Sequence, residues 1–274
     1  MMQRSLSVLR SGLFLAYLIV SVVPWATVAL IASIFIRSNR LYWLCIGWLS
    51  HAIAAARLIC GVRHRLHGLD NLAAANRADA VIVLSKHQST WETFAFPGLM
   101  PHPLAFVFKR ELLYIPFFGW AMARLDMIHI DRTRRSEAWR RVAEQGARHM
   151  QHGAWVIMFP EGTRAARGQQ EAYKSGGSRL AVTTGAQVLP VAVTSARCWP
   201  RKSFILRPGV IDVSFGPLLS SEGKRPDALM EEVEHWIETE MRRLDPEAYA
   251  GRTECVPTHA TASAPPADGT VTRP

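Results

Sequence analysis

An uncharged apolar stretch near the amino terminus constrains this chain more than any other feature. It runs for 26 residues from Ser11 to Ile36, SGLFLAYLIVSVVPWATVALIASIFI, and has arginines on both sides. About 20 apolar residues suffice to cross a bilayer, whereas the apolar core of a cleavable signal peptide has only ~7–15. Pro24 near the middle favours a kinked or re-entrant helix. The stretch therefore predicts a membrane-embedded helix.

A second apolar segment, residues 41–60, follows directly but carries His51 and Arg57. It either returns through the membrane or lies along its surface, with Trp43 and Trp48 at headgroup depth. The flanking arginines are nearly balanced, so charge bias does not decide the topology. We expect residues 1–60 to anchor the chain through two helices.

From residue 61 onward, short apolar runs alternate with longer helical patterns, which predicts an α/β domain over residues 61–250. The expected architecture is a central mixed sheet flanked by helices. Strands are predicted at 80–84, 104–108, 127–130, 154–159, 188–194 and 210–215, and helices at 136–152, 176–186 and 226–243. Residues 251–274 are rich in Pro, Thr and Ala without periodicity, so we expect a disordered tail.

The charge balance indicates an anionic partner. The net charge is +10, which suits nucleic acid, a phospholipid surface or a phosphorylated substrate. Nucleic acid is disfavoured, because the amino terminus is apolar and no aromatic pattern of RNA-binding modules accompanies the charge. The four cysteines lie far apart and form no metal-binding pattern, so we expect free thiols in a reducing compartment and no metal site.

A histidine and a glutamate stand five residues apart in the segment SKHQSTWETF, directly after the first predicted strand of the domain. A strand–turn–helix, with a short helix that Ser89 begins and Pro97 ends, can bring His87 back to Glu92. The alternative is structural: Ser89 to Glu92 fits a capping box, in which the glutamate bonds back to the serine amide. His-x4-acid spacing recurs at His235 and Glu240, so spacing alone does not establish a catalytic pair.

Three further segments form an ordered set of motifs together with HQSTWE. They are KRELLYIPFFGWAMARLDMIHIDR at 109–132, FPEGTR at 159–164 and VLPVAV at 188–193. In this order they resemble the four motifs of the glycerolipid acyltransferase family, the 1-acylglycerol-3-phosphate acyltransferases, over about residues 65–215. Glu92 departs from the usual pattern of this family, which has an aspartate at that position.

The resemblance implies transfer of a fatty acyl group from acyl-CoA or acyl-ACP to lysophosphatidic acid, which gives phosphatidic acid. His87 would be the general base and Glu92 would orient it. Glu161, Gly162, Thr163 and Arg164 would hold the substrate phosphate, since a guanidinium offers an anion two parallel donors. Lys109 and Arg132 fall in the second motif and are candidate phosphate contacts. No cofactor beyond the thioester co-substrate is implied.

The resemblance also implies a bacterial-type inner membrane location with the catalytic domain facing the cytoplasm, where the thioester donors are. Three alternatives stay open. The same chemistry could act on glycerol 3-phosphate or a lyso-aminolipid, water could replace the acceptor as in a thioesterase, or the protein could bind anionic lipid without catalysis.

Overall fold

Two long apolar helices precede an alternation of strands and helices in the computed structural model, which describes residues 2–37, 39–109, 114, 118–125, 127–130 and 135–250. The helices are α1 Met2–Phe35, α2 Asn39–Cys60, α3 Leu69–Ala75, α4 Trp91–Leu99, α5 Phe118–Arg124, α6 Arg135–Gln151, α7 Gly176–Thr184, α8 Pro226–Leu244 and α9 Pro246–Tyr249. The strands are β1 Val62–His67, β2 Val81–Ser85, β3 Leu104–Lys109, β4 Ile128–Ile130, β5 Trp155–Met158, β6 Gln187–Val193 and β7 Gly209–Phe215.

The seven strands form one mixed sheet in the order β1-β7-β6-β2-β5-β3-β4. Neighbouring strands are parallel except β6 and β7, which are antiparallel. The carboxyl ends of β2, β3, β5 and β6 therefore lie at one edge of the sheet. In open α/β sheets that edge is where ligands bind.

Strand β2 shows why both faces of the sheet must be covered. All five of its residues are buried. Val81 and Val83 point into one apolar core with residues of α2 and α4, whereas Ile82 and Leu84 point into a second core with residues of α6, α7 and α8. Side chains alternate across a strand, so a run of apolar residues predicts a sheet sandwiched between two helical layers.

The apolar hairpin of α1 and α2 is attached to the α/β domain at both of its ends. Ser11 on α1 accepts a hydrogen bond from the Leu206 amide at 2.8 Å. At the start of α2, the Tyr42 hydroxyl accepts one from the Leu104 amide at 2.9 Å, at the beginning of β3. Both helices are long and apolar enough to cross a membrane by length and composition. Nevertheless, α2 buries residues along its whole length against the domain.

The predicted α/β fold with a central mixed sheet and flanking helices is confirmed, and the six predicted strands match β2 to β7 within about a residue at most ends. The proposed end of α4 at Pro97 is wrong. The helix continues to Leu99, because a proline in a last turn removes only one backbone donor. Strand β1 was not predicted, because its sequence VRHRLH is largely charged at the sheet edge. The predicted disordered tail lies outside the described residues.

Candidate active site

Three connections meet at the carboxyl edge of the sheet. His87 follows β2 by two residues, Glu161 follows β5 by three, and Ser195 follows β6 by two. The strands are neighbours in the order β6-β2-β5, so segments that are far apart in sequence converge around His87.

The segment from Gln88 to Glu92 forms a tight turn around the buried Glu92 carboxylate. That carboxylate accepts hydrogen bonds from the backbone N–H groups of Gln88 and Ser89 at 3.0–3.1 Å. Ser195 donates its hydroxyl to the same group. The Ser89 hydroxyl accepts from the Trp91 amide at 2.8 Å. The contact from the glutamate back to the serine amide is therefore present, as expected, although the helix begins at Trp91 and not at Ser89.

The same carboxylate also faces the histidine. His87 Nδ1 lies 3.5 Å from Glu92 Oε2, and the ring stacks on Phe159 with centroids 3.9 Å apart. Only 13% of the His87 side chain is exposed. The structural interpretation and the catalytic one are therefore compatible, because one carboxylate holds the turn and faces the imidazole.

Among the described residues, the Glu161 carboxylate contacts the His87 backbone and Lys86, and no contact with Arg164 is seen. Its carboxylate accepts the His87 backbone N–H at 2.7 Å and pairs with Lys86 Nζ at 2.7 Å. Lys86 Nζ also contacts Glu238 Oε1 on α8 at 2.6 Å. Tyr173 donates its hydroxyl to that same oxygen at 2.9 Å. Glu161 therefore stabilises the backbone that carries His87.

Burial governs the protonation of this network. It raises the pKa of Glu161 to about 7, although the ammonium of Lys86 opposes the shift. Burial alone would lower the pKa of Lys86, but the carboxylates of Glu161 and Glu238 outweigh it, and the pKa is raised. Lys86 is therefore a charged structural link between β2, the loop after β5 and α8.

A cavity of about 290 Å³ opens in front of the histidine. Its lining residues are His87, Thr163, Arg164, Arg201 and Lys202. The loop that carries Thr163 and Arg164 is bonded to the histidine backbone, since the Ala165 amide donates to the His87 carbonyl at 2.8 Å. Gly162 permits the turn before it with a φ of 68°, a left-handed conformation that favours glycine.

Arg201 and Lys202 belong to the connection between β6 and β7, and they lie across the cavity from the loop after β5. The Arg201 guanidinium donates to the Arg164 carbonyl. Lys202 has a φ of 58°, which is uncommon for a residue other than glycine. With Arg164 these residues give the cavity three cationic side chains beside one imidazole, an arrangement suited to a phosphate ester.

The eight predicted site residues divide into three groups, one of which is Glu161 alone, whose carboxylate contacts the His87 backbone and does not line the cavity. The structure brings His87, Thr163 and Arg164 to one cavity, with Glu92 behind the imidazole and Gly162 in the adjoining turn. Lys109 is the last residue of β3 and its backbone is at the same sheet edge, whereas its side chain and all of Arg132 lie outside the described residues.

The sequence analysis missed five further residues of the site: Lys86, Ser195, Arg201, Lys202 and Glu238. Lys86 is a charged residue directly after an apolar strand, which was a usable signal of a buried ion pair. Ser195, Arg201 and Glu238 contact residues from 37 to 152 positions away, and no local pattern indicates such contacts.

The chain is similar in sequence to known acyltransferases over most of its length. A family model described as "Acyltransferase" matches residues 63–194. The chain is 40% identical over 242 residues to the 1-acyl-sn-glycerol-3-phosphate acyltransferase of Pseudomonas aeruginosa, with 87% of this chain and 92% of that protein covered. It is 28% identical over 201 residues to the 1-acyl-sn-glycerol-3-phosphate acyltransferase alpha of Mus musculus, which covers 72% of this chain and 70% of that protein.

A solved structure has the same fold. The crystal structure of the 1-acyl-sn-glycerophosphate acyltransferase PlsC from Thermotoga maritima superposes with a TM-score of 0.71 and 23% sequence identity. The match covers 90% of this chain and 98% of that chain. It therefore includes the amino-terminal helices as well as the sheet.

Proposed function

Because this chain belongs to the family of 1-acyl-sn-glycerol-3-phosphate acyltransferases, we propose that it acylates the free hydroxyl of 1-acylglycerol 3-phosphate and produces phosphatidic acid. The chain is an acyltransferase enzyme of glycerolipid synthesis. The single observation that carries the substrate assignment is the cavity that places an imidazole beside three cationic side chains. A phosphate bound to those cations holds the rest of a small glycerolipid next to His87.

His87 acts as the general base in this proposal. Its Nδ1 is turned toward Glu92 at 3.5 Å, which leaves Nε2 as the nitrogen for the substrate hydroxyl. Glu92 orients the ring and stabilises the imidazolium that forms. The His–carboxylate contact is long for a hydrogen bond, as catalytic contacts often are before the substrate binds.

The reaction needs no nucleophile from the protein. The substrate hydroxyl loses its proton to His87 and its oxygen attacks the thioester carbonyl, so that a C–O bond forms and the C–S bond breaks. The imidazolium then returns the proton to the departing thiolate. The donor is a fatty acyl thioester of coenzyme A or acyl carrier protein, and neither a metal nor a redox cofactor takes part.

Arg164 and Thr163 hold the phosphate in this proposal, and Arg201 and Lys202 complete the cationic lining. Arg201 also fixes the loop of Arg164 through its carbonyl, so its guanidinium both shapes the site and adds charge. Glu161 contributes from behind, because its carboxylate bonds the His87 amide rather than the substrate.

In this proposal the hairpin of α1 and α2 holds the site at a membrane surface. Large apolar side chains are exposed along α1 from Leu6 to Phe35, and such a surface is stabilised by burial in lipid. Since α1 contacts the connection after β6 through Phe14 and Trp199, the His87 cavity lies close to the hairpin. The lysolipid would then enter from the bilayer, at a bacterial inner membrane with the domain facing the cytoplasm.

An acceptor panel with purified protein in vesicles tests the proposal. Labelled acyl thioester is supplied with 1-acylglycerol 3-phosphate, glycerol 3-phosphate or a lyso-aminolipid, and the expected product is phosphatidic acid from the first alone. Replacing His87 by Ala should lower the rate by ~10²–10⁴-fold, the usual contribution of general base catalysis. Transfer at the wild-type rate in His87→Ala would refute the base assignment, and free fatty acid without acceptor would indicate a thioesterase.

A further inference from the structure

A second cavity lies away from His87. It measures about 570 Å³ and is lined by Pro103 and Leu104 at the start of β3 and by Ala154 just before β5. These residues are at the amino ends of the strands, whereas His87 is at the carboxyl ends. The cavity is therefore separate from the acyl transfer site.

The rim of this cavity is basic. Three arginines and two histidines line it: Arg37, Arg40, Arg148, His149 and His152. They come from the α1–α2 connection and from the end of α6. Among the described residues that line the cavity there is no carboxylate. The exposed guanidinium groups of Arg37 and Arg40 attract an anion to this rim, and no part of the proposed acyl transfer uses it.

The floor of the same cavity is apolar. Tyr42, Leu104 and Met127 line it and are buried, and Leu125 is half-buried beside them. A free anion gains little from such a floor, whereas a lipid has an apolar portion to bury there. The volume is in the range of ordinary small-molecule sites, which is ~300–1,000 Å³.

The position of the cavity indicates where its ligand comes from. Arg37 lies two residues after Phe35, which is 82% exposed at the end of α1, and Arg40 is the second residue of α2, three residues before the exposed Trp43. Apolar side chains that enter lipid thus border directly on the basic rim. An amphipathic ligand in the adjoining leaflet would meet both features at once.

We infer that this cavity binds one anionic phospholipid, with its phosphate on the basic rim and the first part of its acyl chains on the apolar floor. The ligand class is a phospholipid with net negative charge, held at a site distinct from the acylation centre. Its occupancy ties the far end of the hairpin to the membrane. The inference does not depend on which acceptor the enzyme acylates.

The test uses the full chain in non-ionic detergent and dihexanoyl phosphatidylglycerol as the probe. The phosphate of this lipid is a diester, unlike that of lysophosphatidic acid, and its short chains keep it soluble. Melting temperature is followed against lipid concentration. The protein should show a saturable stabilisation, and Arg37→Ser/Arg40→Ser should raise the Kd about 30-fold.

Two variants serve as controls. Arg77→Ser/Arg225→Ser removes the same charge from exposed positions that line neither cavity, and should leave the Kd within about threefold of the wild-type value. Arg164→Ala should do the same, because it alters the cavity of His87. Melting temperatures without lipid confirm that Arg37→Ser/Arg40→Ser is folded, since both side chains are exposed.

Each remaining outcome would overturn the inference. Equal stabilisation by dihexanoyl phosphatidylcholine would exclude a requirement for net charge, and equal affinity for inorganic phosphate would exclude a role of the apolar floor. Equal affinity for a polyglutamate peptide would indicate an acidic protein surface as the partner. Loss of binding in Arg164→Ala with retention in Arg37→Ser/Arg40→Ser would place the lipid at the acylation site.

Discussion

In the proposed mechanism Glu92 combines two tasks, holding the turn and orienting His87, that are often divided between residues. Its carboxylate accepts hydrogen bonds from two backbone N–H groups and from the Ser195 hydroxyl. These bonds hold the carboxylate in place before any substrate binds. The carboxylate is fully buried, so its charge depends on these donors for stabilisation. A side chain fixed in this way can orient His87 before the lipid arrives, which is the condition for efficient base catalysis.

Replacing Glu92 by Gln should reduce both activity and stability. The amide oxygen can replace Oε1, which accepts from the Gln88 and Ser89 N–H groups and the Ser195 hydroxyl, but the amide nitrogen then replaces Oε2 and puts a donor against the Ser89 N–H. A buried donor without an acceptor costs ~1–3 kcal/mol in unfolding free energy. The rate constant kcat should fall ~10²–10⁴-fold, as measured by single-turnover transfer of labelled acyl groups. Ser195→Ala is the matched control: it removes one donor but leaves the contact with His87, so kcat should fall less than tenfold. Equal kcat in Glu92→Gln and the wild type would contradict the role of Glu92.

Glu161 predicts a pH dependence of stability. Its pKa is raised from 4.5 to about 7 in the folded protein, so the native state holds its proton more tightly than the unfolded chain. The associated stabilisation is fully present below about pH 4.5 and is lost as the pH rises to about 7. Relative to Glu161→Gln, the wild-type unfolding free energy should fall across this window by up to about 3 kcal/mol.

Urea unfolding of both proteins at several pH values between 5 and 7.5 measures this difference. The comparison between variants cancels groups that titrate in the same way in both, such as Asp212, whose pKa is lowered mainly by Arg65 and His67 against the effect of burial. Parallel pH profiles for the two proteins would show that Glu161 keeps its ordinary pKa.

At the scale of elements, the turn after β5 connects the sheet to the cationic cavity. Gly162 bonds back to the Phe159 carbonyl at 2.9 Å and takes a φ of 68°. Thr163 and Arg164 follow immediately, so the direction of both side chains depends on this turn. A Cβ at position 162 would lie 2.6 Å from Lys174 Nζ, and that flexible side chain would have to move.

Gly162→Ala should therefore lower both stability and activity, whereas Gly153→Ala should lower stability alone. Gly153 ends α6 with a φ of 75° and has open space around its Cβ position, so it matches the backbone strain without touching the site. Both variants should lose ~1–2 kcal/mol in urea unfolding. Only Gly162→Ala should lower kcat/KM for the lysolipid, by about tenfold. An equal kcat/KM in both variants would mean that the turn does not position Arg164.

The sequence analysis predicted those parts of the site whose residues are close together in the chain. His87 and Glu92 are five residues apart, so a strand–turn–helix accounts for their meeting. Strands β2, β5 and β6 are apolar runs between clear turn signals, and their parallel order follows from the alternation with helices. Arg201 and Glu238 were not predicted, because each reaches the site through a packing arrangement of whole elements. The edge strand β1 was missed for a different reason: its exposed basic residues obscure the alternation of apolar and polar residues that is typical of a strand.

In the whole molecule, the His87 cavity and the cavity with the basic rim lie towards opposite ends of the apolar hairpin. The start of α1 is held near Leu206, on the side of the His87 cavity, and the start of α2 is held at Leu104, on the side of the larger cavity. At ~1.5 Å per residue, the 34 residues of α1 extend about 51 Å, well beyond the ~30 Å hydrocarbon core. The hairpin therefore runs beside the domain from one edge of the sheet to the other. A perpendicular insertion would carry the sheet into the bilayer with α2.

This arrangement predicts that both ends of the hairpin lie on the same side of the membrane. The four native cysteines are first replaced by alanine. A single cysteine is then introduced either at Asn39, at the start of α2, or at Ser203, next to Lys202 of the His87 cavity. These two positions report the two ends of the hairpin. In proteoliposomes a membrane-impermeant maleimide should label both positions to the same extent. If the cysteine at 39 reacts only after the vesicles are permeabilised while that at 203 reacts before, the hairpin crosses the bilayer. The lipid at the basic cavity would then face the opposite leaflet from the acylated product, a geometry that the attachment of Tyr42 to β3 argues against.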